Sequence, residues 1–232
     1  MEKKRESYRN RWWVFAEPRS NLRAAVDDLP RYIATCRTAK HRIFGFLNGR
    51  ILPDAKLIAI GLEEASAISV LSSRFHVVWS LSSGAFFEDR PNYNHADCFN
   101  KFPFPTLTDP QRTHLRALGE ELDAHRKERQ AEQPKLTLTQ MYNVLEKLRA
   151  GERIEGKDKD IYDHGLIGIL KDIHDRIDAA VAEAYGWPVD LSDEDILMRL
   201  VDLNRERAEE EARGVIRWLR AAYQNPTGKQ AE

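Results

Sequence analysis

The sequence predicts an α+β fold: a small, mostly antiparallel sheet with flanking helices, followed by an all-helical C-terminal region. Three observations predict it. Short β-prone runs punctuated by turn residues crowd the first hundred residues. Apolar residues at spacings of three and four dominate the second half. Between them, Phe102-Pro103-Phe104-Pro105 cannot continue a helix or a central strand, so it reads as an extended, aromatic-packed connector. The boundary is therefore placed there, giving domains 1–105 and 106–232.

Taken in order, Arg11-Trp12-Trp13-Val14-Phe15 is aromatic and β-prone, and Pro18 stops it. Ser20 suits an N-cap for a short helix from Asn21 to Leu29, with Leu22, Ala25, Val26 and Leu29 on one stripe. Arg31 to Cys36, His41 to Leu47 and Leu57 to Ile60 are the strands, and Asn48-Gly49 is a hairpin signal. Ala65 to Leu81 reads as one helix carrying Ile68, Leu71, Phe75, Val78 and Trp79, ended by Ser82-Ser83-Gly84. Gly84 to Phe104 is irregular. Leu115 to Gln130 is an amphipathic, heavily charged helix. Thr137-Leu138-Thr139-Gln140 matches a capping box before Met141 to Ala150, which Gly151 ends. One long helix runs from about Asp160 to Tyr185, with Gly165-x-x-Gly168 inside it as a close-packing pair. Ser192 opens the last helix, which bears Ile196, Leu197, Leu200, Leu203, Ala212, Ile216 and Leu219; the tail after Tyr223 is expected to be disordered.

Composition narrows the function. The 232 residues are 42% hydrophobic and 31% charged, an ordinary soluble mix with no apolar run long enough to span a bilayer. Met1-Glu2-Lys3-Lys4-Arg5 precedes no apolar segment, and two cysteines make no disulfide framework, so a cytoplasmic location without membrane contact is expected. The net charge of −1 conceals an asymmetry: residues 1–105 hold 16 Lys/Arg against 11 Asp/Glu, and residues 106–232 hold 20 against 26. The basic part is the candidate for a polyanionic partner.

Motifs for catalysis are scarce. Neither G-x-G-x-x-G nor a Walker pattern occurs, and there is no C-x-x-C or H-x-x-x-H pair. Cys36, His41, His76, His95 and Cys98 are too scattered for a zinc site to be expected. Pro53-Asp54 with Glu63 imitates a nuclease metal core, but Ala65 stands where that core needs a lysine, so Pro53-Asp54 is read as a turn. What remains is the basic part. Arg37, Lys40, Arg42 and Arg50, with His41, gather around the hairpin and are candidate phosphate contacts. Arg90, Asn92, Tyr93, Asn94 and His95 gather in the loop before the connector and are candidate base readers, since Arg suits guanine edges and Asn adenine edges.

Several stretches together carry a resemblance. They are Arg11-Trp12-Trp13-Val14-Phe15-Ala16-Glu17-Pro18-Arg19, Pro30 to Thr35, Lys40-His41-Arg42, Leu52-Pro53-Asp54 and Ser72 to Trp79. Cys98-Phe99-Asn100-Lys101-Phe102-Pro103-Phe104-Pro105 follows, then Leu138 to Asn143, Ala184 to Pro188, Leu203 to Arg207 and Glu209 to Arg220. In this order they resemble the target-recognition and C-terminal helical regions of MmeI-like restriction–modification enzymes, over nearly all of residues 8–223. The resemblance implies sequence-specific DNA recognition within a site-specific adenine DNA methyltransferase that uses S-adenosylmethionine. It also implies that the loop from Gly84 to Asn100 sets specificity. The family's Asn-Pro-Pro-Tyr and glycine motifs are absent; Asn225-Pro226-Thr227-Gly228 is no substitute. The expectation is therefore a fragment or split subunit with no catalytic residue, metal or cofactor of its own. Its partners would be double-stranded DNA and a methyltransferase core domain lying outside these residues. Tyr8, Trp12 and Trp13 are expected to pack rather than stack on bases. Two other readings stand beside it: a protein–protein interaction module with no DNA contact, and an enzyme assembled from His76, His174 and Asp175.

Overall fold

The computed structural model describes residues 20–87 and 90–215, together with Asn10. The predicted Arg11–Phe15 strand, Tyr8, Ile216, Leu219 and the tail lie outside these residues. A short helix α1 (Ser20–Val26) leads into β1 (Arg31–Cys36), which is flanked on both sides by antiparallel partners, β2 (Phe44–Asn48) and β3 (Leu57–Ile60). Both sheet faces are covered, which is why β1 is buried almost throughout. Ile33, Phe44, Phe46, Ile58 and Ile60 pack on Ala65, Ile68 and Leu71; Tyr32 and Ala34 pack on Val26 from the other side.

The Asn48-Gly49 signal misleads. Because β1 lies between β2 and β3, no hairpin forms at Gly49. Gly49 instead donates to Pro30 O at 3.0 Å, and a Cβ there would sit 1.8 Å from Leu29 O. The glycine is required for close backbone approach, not for a left-handed turn.

Two helices predicted as continuous are broken. Ala65 to Leu81 divides into α2 (Ala65–Ser72) and α3 (Arg74–Ser83) at an extended Ser73. Ser73 Oγ donates to Val70 O at 2.7 Å, and the first amide of α3, Arg74 N, donates to Asp178 Oδ1 at 2.7 Å. The break is stabilised by a cap from 104 residues away, which local periodicity does not reveal. A ribbon of β4 (Ala85–Phe87) and β5 (Arg90–Asn92) and a π-helical turn (His95–Phe99) follow. The connector is extended as expected: Phe102 is fully buried and meets His76, Trp79 and Phe104 edge-on, with Phe104 against Phe99.

The C-terminal region is helical: α4 (Asp109–Glu132), α5 (Leu138–Arg149), α6 (Lys157–Gly165), α7 (Ile167–Tyr185) and α8 (Asp193–Ala212). The Thr137–Gln140 capping box forms, and Gly151 follows α5 at φ 71°. The long helix predicted from Asp160 splits at Leu166, which is left-handed (φ 45°). Gly165 therefore ends α6 rather than lying within a helix, and a Cβ on it would meet Ile167 at 2.8 Å. The split buries Ile167 completely while Leu166 stays 38% exposed; that burial offsets a strain of about 1–2 kcal/mol. Residues on both sides of position 105 share one core, in which Val70, Phe75, Trp79 and Phe102 join Leu115, Leu122, Tyr142 and Ile177. Gly119 permits this: its Cα faces Ala65 so closely that a Cβ would lie 2.1 Å from Ala65 O.

Candidate nucleic-acid interface

One end of the sheet collects the basic residues. Cys36 pairs with Leu57, so the residues just beyond, Arg37 and Lys56, sit side by side; Arg37 N donates to Lys56 O at 2.7 Å. Asp54 shapes this corner as an Asx turn, accepting from Lys56 N at 2.6 Å, so Pro53-Asp54 is a turn. The β1–β2 loop is then zipped onto β5. Tyr93 N donates to Arg37 O at 2.7 Å, Ala39 N to Pro91 O at 3.4 Å, and Thr38 bridges Asn92. The two segments that carry the predicted clusters, separate in sequence, are thus joined into one surface, where Arg37, Lys56, Arg90 and His95 are exposed.

Arg42 and Tyr93 lie beneath that surface, not on it. The buried Arg42 guanidinium donates to Cys36 O, to Thr35 Oγ1 at 3.2 Å and to Pro91 O at 3.3 Å, and lies 4.9 Å over the Tyr93 ring. It ties loop to ribbon from within. Burial holds its pKa below the ordinary value and pushes the Tyr93 phenol far above its own. Tyr93 OH lies 3.0 Å from Nε2 of the fully buried His76, whose pKa burial drives down to about 3. His76 is therefore neutral, and it braces the core.

The other candidates divide. Asn92 is half-buried with an unpartnered Oδ1. Asn94 accepts from Asp97 N at 2.7 Å and caps the π-helical turn. Lys40 is exposed at the edge, held by Glu146 at 2.8 Å and Asn143 at 2.9 Å. Arg50 follows the far end of β2, where Asn48 pairs with Arg31; it is about one strand length, roughly 15 Å, from Arg37. The structure does not bring it to this surface. Lys56 was missed by sequence reasoning, because only the strand order places it beside Arg37.

Nor does the structure assemble His76, His174 and Asp175. His174 is held separately by Tyr142 OH at 2.7 Å, and Asp175 pairs outward with Lys171 and Arg149. Cys36 is exposed and Cys98 buried, and among the described residues no group of three His, Cys, Asp or Glu is arranged to hold a metal. Among them, no helix is long and apolar enough to cross a membrane.

No family model matches the chain, and no curated protein does. Among solved structures, the type IIL restriction–modification enzyme MmeI in complex with DNA superposes with a TM-score of 0.60 at 17% identity, over 78% of this chain. The likeness is one of fold. The match spans 22% of the MmeI chain, so most of that enzyme has no counterpart in these residues.

Proposed function

We propose that the sheet end formed by the β1–β2 loop, Lys56 and the β4–β5 ribbon docks on double-stranded DNA. In this reading the chain is the target-recognition and C-terminal helical part of a restriction–modification adenine methyltransferase. The catalytic core and its S-adenosylmethionine belong to another part of that enzyme. The observation that carries the proposal is the joining of the β1–β2 loop to β5 at one end of the sheet, where Arg37, Lys56, Arg90 and His95 are exposed together. The motif resemblance and a fold shared with an enzyme bound to DNA support it.

Arg37 and Lys56 take phosphates, with Lys40 at the edge. An exposed pair such as Lys40–Glu146 is worth about 1 kcal/mol or less, so a phosphate can displace Glu146. Arg90, Asn92, Asn94 and His95 are the base-proximal set. Arg42 and Tyr93 fix the geometry from beneath, and Arg50 takes no phosphate here. A base methylase must also flip adenine into a separate pocket, which explains a reader that carries no catalytic group. The helical region braces the reader through the core they share, and its Glu146 reaches the edge of this surface at Lys40.

The test is binding of the chain to a mixed-sequence duplex as salt is varied. Each neutralised phosphate contributes about −0.9 to the slope of log K against log salt, so three contacts give about −3. Arg37→Ala is expected to flatten the slope by about 1, whereas Arg50→Ala leaves it unchanged. Absence of binding at low salt would overturn the proposal in favour of a module that contacts only protein.

A further inference from the structure

Arg126 carries a charge that nothing among the described residues balances. It lies on α4 and is 3% exposed. Nη1 donates to Phe44 O at 2.7 Å, Nη2 donates to Tyr142 OH, and Nε has no partner. Among the described residues no carboxylate pairs with it. Asp123, on the same helix, accepts from Phe46 N at 3.1 Å and pairs with Lys127 at 2.6 Å. Tyr142 does not supply the charge, because burial holds its phenol above the ordinary value. His174, bonded to the same hydroxyl, is driven well below its own by burial and by Arg126, so it is neutral. A buried guanidinium without a counter-charge costs several kcal/mol, and a buried N–H without an acceptor adds to that.

Arg126 also lines a cavity of about 350 Å³ between the sheet and the start of α5. Ile43, Phe46, Leu47 and Leu138 supply apolar wall; Lys127 and Lys40 also line it, but Lys127 is paired with the lining Asp123 and Lys40 with Glu146, so that among the described residues Arg126 is the lining cation without a carboxylate. Its size lies within the range of small-molecule sites, and its chemistry is that of an apolar slot with a cationic end.

We propose that this cavity binds a small organic anion, an apolar body with a carboxylate or phosphate monoester head that pairs with Arg126. Arginine's planar fork suits either head. The occupant supplies the counter-charge that the fold omits. The inference does not rest on the proposed DNA contact, although Lys40 borders both places.

Calorimetric titration of the whole chain with octanoate, octyl phosphate, octanol and acetate tests it. Octanoate or octyl phosphate is expected to bind at least about 10-fold more tightly than octanol, and acetate, lacking the body, more weakly than either. The better of the two names the head. Arg126→Met retains volume and removes the charge, so it is expected to fold and to bind the charged probes no better than octanol. Leu138→Trp, which fills the slot, is expected to abolish binding of all the eight-carbon probes, a result that does not depend on the folding of the Arg126 variant. Charged probes that bind no tighter than octanol, or that do not bind at millimolar concentration, overturn the proposal. So does octanoate affinity unchanged in either folded variant.

Discussion

Asp178 offers a quantitative check on how the two parts are joined. Its side chain is 18% exposed, caps α3 through Arg74 N and lies 3.8 Å from Arg149. Burial nevertheless dominates and pushes its pKa from 3.8 to about 6. The folded state therefore holds a proton that the unfolded chain releases. Stability from this group is fully present below pH 3.8 and is lost as pH rises through 6. A shift of about two units corresponds to roughly 3 kcal/mol, of which about 2 kcal/mol falls between pH 4.5 and 7.5. Asp178→Asn keeps an oxygen for Arg74 N and removes the titration. Urea unfolding of both proteins at the two pH values measures the effect. The variant's stability relative to the parent should rise by about 2 kcal/mol from pH 4.5 to 7.5. A difference that stays constant with pH would refute the reasoning.

Three further outcomes follow from the packing and the surface. His76, held neutral by burial, has the opposite sign: its stability is present above pH 6.5 and lost as pH falls toward 3. His76→Phe should therefore destabilise at pH 7 by about 1–3 kcal/mol through the orphaned Tyr93 hydroxyl. Relative to the parent it should then gain about 2–3 kcal/mol by pH 4.5, measured by denaturant unfolding. Gly119→Ala forces a Cβ against Ala65 O, and the resulting shift between α2 and α4 should lower stability by about 3 kcal/mol or more, seen as a drop in melting temperature. In the complete enzyme that this reading implies, Arg90→Ala should relax the methylated motif at one position without abolishing it, as read by methylation mapping.

Legibility followed the range of the forces. The capping box at Thr137, the helix start at Ser192 and the Phe-Pro connector use neighbours within a few residues, and each formed as read. Ser73 and Leu166 break helices whose apolar spacing is unbroken. The causes are Asp178 on a distant helix and the burial of Ile167 under the packed bundle. Gly49 resembled a hairpin glycine because sequence does not distinguish a need for positive φ from a need for an absent Cβ. The basic clusters were visible as residue types. Arg42 and Tyr93 could not be told from surface groups, because an arginine that donates to two carbonyls and a hydroxyl beneath the surface looks like any other in a chain of letters.

In the proposed reading the sheet end, not basic charge in general, grips the duplex. Charge reversal separates these. Arg37→Glu with Lys56→Glu should weaken binding to a duplex of about 20 base pairs by more than about 10-fold at 0.1 M salt. Arg153→Glu, on a side chain 88% exposed in the helical region, should change it less than about 2-fold. Equal losses from the two proteins, or full affinity in the double variant, would contradict the account.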